Sequence, residues 1–157
     1  MYIVSQNLSN YGVPLPNDCI FRINLAWIND LNELKLLLKK HQSHEIFLDL
    51  PINRTKPPSN NYSLDDLVPI IESNSNVKYF AISNVDSADY LEPFVKVLPT
   101  SINIIPKIEN AKGISNIAEI INKLPTSKKI SDMGLFIIRV FNVFVTRLIK
   151  VKKRFLL

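Results

Sequence analysis

An α/β domain built on a parallel sheet is the fold class that this sequence predicts, and three observations predict it. Short β-rich runs alternate with helical patterns at intervals of roughly 25 to 32 residues, the length of one βα unit. Runs such as Glu45–Leu50 (EIFLDL) and Asn103–Pro106 (NIIP) are nearly continuously apolar, as strands covered on both faces are. The 157 residues, 46% hydrophobic and 21% charged, have the composition of one folded domain and exclude a disordered chain. An open sheet and part of a barrel both satisfy the pattern.

The elements follow in order. Residues 1–19 read as an irregular segment in which Tyr2-Ile3-Val4 admits a strand before Asn, Gly and Pro interrupt it. Ile20–Leu25 is the first clear strand, and Asn29–Lys40 a helix with Leu31, Leu34, Leu37 and Leu38 along one face. Lys39 and Lys40 suit the negative pole at its end. Glu45–Leu50 is a strand and Pro51–Tyr62 a loop. Ser63 caps a helix with Asp65 and Asp66 in its first turn. Val77–Ile82 is the third strand, and Ser87–Val97 a helix that Pro93 disturbs. Ile102–Pro106 is the fourth strand and Gly113–Leu124 the next helix. Pro125–Ser131 is a loop, and Gly134–Val140 a fifth strand candidate.

The net charge is +5, much of it in the tail, where Arg147, Lys150, Lys152, Lys153 and Arg154 cluster. The rest is nearly neutral, which argues against a nucleic-acid-binding face. One cysteine, Cys19, rules out an internal disulfide and fits a reducing, cytoplasmic setting, where it reads as inert. No signal peptide is visible at Met1-Tyr2-Ile3-Val4. The tail from Leu135 is too interrupted by Arg139, Asn142 and Arg147 for a membrane span. From Val143 it reads as a basic amphipathic helix, expected to pack on the sheet rather than to lie on a membrane surface.

The chemistry-bearing stretch is Pro106-Lys107-Ile108-Glu109-Asn110. Lys107 and Glu109 are two residues apart, so an extended backbone projects both the same way, at the carboxyl end of a strand. That is where α/β sheets and barrels build their sites. Taken alone, such a pair is usually a solvated surface pair. Arg22 lies inside an apolar strand and needs a partner, and Asp49 on a neighbouring strand could be it. A structural ion pair and a ligand role both remain open. His41 and His44 read as solvated turn residues with too few companions for a metal, and Trp27 as packing at a strand end.

Several segments together resemble pyruvate kinase in its (β/α)8 barrel. Ile105–Gly113 is similar to that family's K-I-E-N-x-x-G motif. Ala81–Asp89 is similar to its A-x-S-F-V-R-S-A-x-D segment, Arg22–Trp27 to R-x-N-x-S-H, and Asp49-Leu50-Pro51 with Arg54-Thr55 to a shortened D-L-P-G-P-K-x-R-T. The resemblance spans residues 20 to 139. It implies phosphoryl transfer between phosphoenolpyruvate and ADP at a Mg²⁺-bound pyruvate-enolate site. Lys107 would face the phosphoryl group or enolate, Glu109 would ligate Mg²⁺, and Arg22 would clamp phosphoryl oxygens. Asn24 and Asp49 would hold a monovalent cation such as K⁺, and Ser83 and Arg54 would line the substrate pocket.

The chain departs from that pattern. Arg139-Val140-Phe141-Asn142 stands where a second acidic metal ligand is expected, Ala26 replaces a serine, and the family's inserted domain is missing. Catalysis is therefore expected to be incomplete in this chain. The aldolase/citrate lyase group shares the barrel, and its I-P-x-I-E-x-x-x-G segment matches Ile105–Gly113 almost as well. A non-catalytic relative or assembly subunit is the third reading, and on it the resemblance ends near Arg139 through truncation or an altered frame. The expected organisation is an irregular segment 1–19, a partial barrel domain 20–142 with about five parallel strands, and a tail 143–157. Five strands do not close a barrel of eight. Exposed edges and an apolar inner face are expected, covered by a second copy or another partner.

Overall fold

The computed structural model describes residues 2–5, 14–52 and 62–124. Among these residues five strands form one open, all-parallel sheet in strictly sequential order. They are β1 (Tyr2–Ser5), β2 (Cys19–Asn24), β3 (Glu45–Leu50), β4 (Val77–Ile82) and β5 (Asn103–Pro106). The helices are α1 (Leu31–Lys40), α2 (Leu64–Glu72), α3 (Glu92–Val97), α4 (Ala111–Ser115) and α5 (Ile117–Lys123), with 3-10 turns at Leu25–Trp27 and Asp89–Leu91. Among the described residues no helix is long and apolar enough to cross a membrane. The chain divides into two compact units, Met1–Phe80 and Ala81–Leu157.

In the first unit, β2 and β3 carry the core. Phe21, Ile23, Ile46 and Leu48 are fully buried with Leu34 and Leu38 of α1 and Leu67 of α2. Each such side chain contributes about 1.5–3 kcal/mol of transfer free energy. Helix starts are set locally. Asp30 accepts the backbone N–H groups of Asn32 and Glu33, and Glu33 in turn accepts from the N–H of Asn29. Ser63 and Asp66 form a reciprocal capping box at α2. The tyrosine hydroxyl of Tyr62 donates to the carbonyl of Ile28.

Four differences from the sequence reading stand out. Tyr2–Ser5 is a strand within the segment read as irregular, paired to β2 with Ser5 opposite Arg22. The fifth strand of the sheet is therefore at the amino end, and Gly134–Val140, Arg54 and the tail lie outside the described residues. β3 is buried from Ile46 to Leu50: both of its faces are covered, as its continuous apolar run predicts, and the bare inner face expected of a partial barrel is not found on this strand; Phe47 stacks on Tyr79 at 6.2 Å. His41 is buried rather than solvated, because its ring packs on Phe21 at a centroid distance of 4.5 Å. Trp27 is exposed, not packed, because a 3-10 turn carries it past the end of β2.

In the second unit, β5 feeds α4 through the charged loop. The helix starts at Ala111, before Gly113, because Asn110 Oδ1 accepts the Gly113 N–H at 2.8 Å. Gly113 is thus inside the helix, and a close approach requires it: a Cβ there would stand 2.6 Å from the carbonyl oxygen of Val85 and 2.9 Å from Ile108 Cγ2. The helix expected over Ser87–Val97 is broken into a 3-10 turn and α3, with Pro93 in the first turn, where it costs no hydrogen bond.

Candidate functional site

Two polar clusters lie at strand ends, one in each unit. The first is set by register. Ser5 stands opposite Arg22 and Asn24 opposite Asp49, and residues two apart share a face, so all four gather on one face of β1, β2 and β3. Arg22 Nε donates to Asp49 Oδ2 at 3.1 Å, Nη2 donates to the same oxygen, and Nη1 donates to Ser5 Oγ at 2.6 Å. Asp49 is 1% exposed, against 24% for the Arg22 side chain. Of the two readings left open by the sequence, the ion pair is the one observed. Asn24 Oδ1 accepts the Ala26 N–H at 3.1 Å and caps the 3-10 turn. Asn24 and Asp49, the two side chains that the resemblance assigns to a monovalent cation, are thus both engaged in contacts within the chain.

The second cluster holds Lys107 and Glu109. The Lys107 N–H donates to the carbonyl of Ile82 at 2.8 Å and its carbonyl accepts from the Val85 N–H at 3.0 Å, so the turn after β4 is pinned to the end of β5. Lys107 is 9% exposed, and its Nζ donates to the buried Ser83 hydroxyl at 2.9 Å. Glu109 Oε1 lies 3.9 Å from that ammonium, an ion pair longer than a hydrogen bond. Glu109 Oε2 accepts the Asn84 N–H at 2.9 Å. Asn84 has φ of 55°, a left-handed conformation that asparagine tolerates better than most residues. Around the rim, Lys112 Nζ donates to Asp86 Oδ2 at 3.3 Å and Asn116 Nδ2 to the Asp86 carbonyl at 2.9 Å.

The geometry decides what this cluster can do. At 3.9 Å and an effective dielectric near 20, the Lys107–Glu109 attraction is about 4 kcal/mol before desolvation offsets it. Ser83 holds the ammonium and the Asn84 N–H holds the carboxylate, so the two charges stand side by side at the strand end without a short contact. Lys107 offers fixed positive charge to an anion. A carboxylate has about four lone-pair positions. The Asn84 N–H occupies one on Glu109, so oxygen capacity remains for a hard cation. Among the described residues no three of His, Cys, Asp and Glu gather to hold a metal ion. Mg²⁺ at Glu109 would take its other ligands from water and from the oxygens of a bound anion, as that ion commonly does.

The structure therefore brings together three residues singled out in the sequence, Ser83, Lys107 and Glu109, and, separately, Arg22 and Asp49. Arg54 lies outside the described residues. Ser5 and Asn84 escaped the sequence reading. The Ser83-Asn84 pair directly after an apolar strand was the available signal for a turn with positive φ. No protein-family model matches the chain, and no curated protein matches it. The chain stands as an α/β protein whose described residues form an open, five-stranded parallel sheet.

Proposed function

We propose that this chain binds a small carboxylate or phosphorylated ligand of the phosphoenolpyruvate–pyruvate class at Lys107 and Glu109, with Mg²⁺ at Glu109. The carrying observation is the buried Lys107 ammonium, held by Ser83 at the carboxyl end of β5 beside a carboxylate tied to the Asn84 N–H. Fixed positive charge in a partly desolvated setting stabilises an enolate or phosphoryl oxygen. The sequential strand order supports a further step, that the sheet is a portion of a (β/α)8 barrel. Doubly wound sheets reverse direction at a switch point, whereas barrel strands neighbour their successors all the way round.

The reading is binding, with phosphoryl transfer from phosphoenolpyruvate to ADP incomplete. That transfer needs further metal positioning and nucleotide contacts, and Arg139–Asn142 supplies no carboxylate where a second one is expected. A carbon–carbon lyase reading draws support from the short Pro51–Ser63 connection between β3 and α2, which leaves no room for an inserted domain. Calorimetry with oxalate, an enolpyruvate mimic, tests the common part. Binding that needs Mg²⁺ and is lost in Glu109→Ala supports the proposal, and no binding at millimolar oxalate removes both enzyme readings. ADP-dependent turnover would restore the kinase reading.

A further inference from the structure

The turn between α1 and β3 is unusual in its polar content. His41 is the C-cap of α1, and its N–H donates to the Leu37 carbonyl. The His44 N–H donates to the His41 carbonyl at 3.0 Å, closing the turn. Asn76 Nδ2 donates to both the His41 and His44 carbonyls at 3.3 Å, and the Asn76 carbonyl accepts the Ile46 N–H at 2.8 Å. The backbone of this turn is therefore well satisfied, and His44 Nδ1 meets the Ser43 hydroxyl at 3.3 Å. The outer nitrogens of the two rings are not satisfied. Both imidazole Nε2 atoms are buried and lack a hydrogen-bond partner. Their ring centroids are 5.9 Å apart, and His41 is 6% exposed, its ring tilted against that of Phe21.

A buried polar atom without a partner costs free energy and calls for an explanation. A cap position at a helix carboxyl end ordinarily favours a charged histidine. Here burial and two neighbouring groups oppose it. Phe21 of β2 is apolar, Lys40 of α1 is a cation, and His44 across the turn would be a like charge. Glu45, the nearest carboxylate in sequence, has its Oε2 engaged by the Tyr79 hydroxyl at 3.1 Å. Burial, then Lys40, then His44, holds the His41 imidazole below its ordinary range.

We propose that the His41–His44 turn is an acid-triggered latch, in which proton uptake on the buried imidazole releases the carboxyl end of α1 from β2. The sign follows from linkage. The folded turn binds fewer protons than the open one, so closure is stable above the open-state value near 6.5 and weakens as pH falls through it. If His41 takes no proton while closed, the opening constant rises up to about 30-fold between neutral pH and pH 5.

The experiment is amide hydrogen exchange on the whole chain at pH 7.5 and pH 5.0, corrected for intrinsic rates, read at His41, His44 and Ile46. A nuclear magnetic resonance titration of the two imidazoles accompanies it. The latch predicts a titration of His41 below 6.5 and an acid-induced increase in opening at these amides that His41→Leu abolishes. Equal acid sensitivity in wild type and His41→Leu would overturn it. If that variant fails to fold, a wild-type His41 that titrates at or above 6.5 does the same. Protection of the turn by added Zn²⁺, lost in both His41→Leu and His44→Gln, would replace the latch with a metal site.

Discussion

Removing Arg22 should damage the first unit more than removing Asp49, although both substitutions break the same pair. Arg22→Ala leaves the Asp49 carboxylate, 1% exposed, without the guanidinium that donates to it through Nε and Nη2. Breaking a buried pair this way costs about 3–5 kcal/mol. Because the Arg22 side chain is 24% exposed, solvent screening places the cost near the low end, about 3 kcal/mol. Asp49→Ala leaves a guanidinium that can turn toward water and keep its bond to Ser5, so about 1–2 kcal/mol is expected. With a urea slope of about 2 kcal/mol/M, the midpoint should fall by roughly 1.5 M for Arg22→Ala and by less than 1 M for Asp49→Ala. The double variant should cost less than the sum of the two. Urea titration of the four proteins measures this. A larger loss for Asp49→Ala, or costs that simply add, would refute the idea that a buried carboxylate depends on Arg22.

Three other outcomes follow from particular contacts. Gly113→Ala gains up to about 1 kcal/mol of helix propensity but forces its Cβ against the Val85 carbonyl, and overpacking costs about 1–3 kcal/mol; a net loss in thermal stability is expected. Asn84→Gly should retain ligand binding at Glu109, whereas Asn84→Val should weaken it, because a β-branched residue is strained at φ of 55° and the N–H held by Glu109 would move; calorimetry compares the two. Burial, with Glu45 beside it, pushes the Tyr79 hydroxyl up to about 12. The folded state then keeps a proton that the unfolded chain loses near 10. The stability Tyr79 contributes is complete below pH 10 and fades as pH rises toward 12, and Tyr79→Phe should flatten that decline in alkaline urea titrations.

Much of this architecture could be read from local pattern. Ile20–Leu25, Glu45–Leu50, Val77–Ile82 and Ile102–Pro106 read as β-rich runs with clear breakers, and strands lie at all four, at Cys19–Asn24, Glu45–Leu50, Val77–Ile82 and Asn103–Pro106. Ser63 with Asp66 carries its cap in four adjacent residues. What escaped depends on distant partners. Tyr2-Ile3-Val4 admits a strand but is too short to decide one, and pairing with β2 and the Arg22–Ser5 bond define Tyr2–Ser5 as a strand. Gly113 reads as the first residue of a helix, and its place inside α4, against the Val85 carbonyl, depends on that distant contact. His41 sits among lysines in sequence, and its burial comes from Phe21, some twenty residues away. At the site, the i, i+2 spacing of Lys107 and Glu109 was enough to place both at one strand end. The backbone N–H that anchors Glu109 comes from Asn84, whose positive φ no spacing rule marks.

The central claim, an anion site built on the Lys107 ammonium, is tested most directly by oxalate calorimetry on the wild type and Lys107→Met in the presence of Mg²⁺. The methionine keeps the length and apolar stem of lysine while removing its charge. Binding by the wild type that falls at least tenfold in the variant, with the fold unchanged by circular dichroism, is the predicted result. Equal affinity in the two proteins would contradict it.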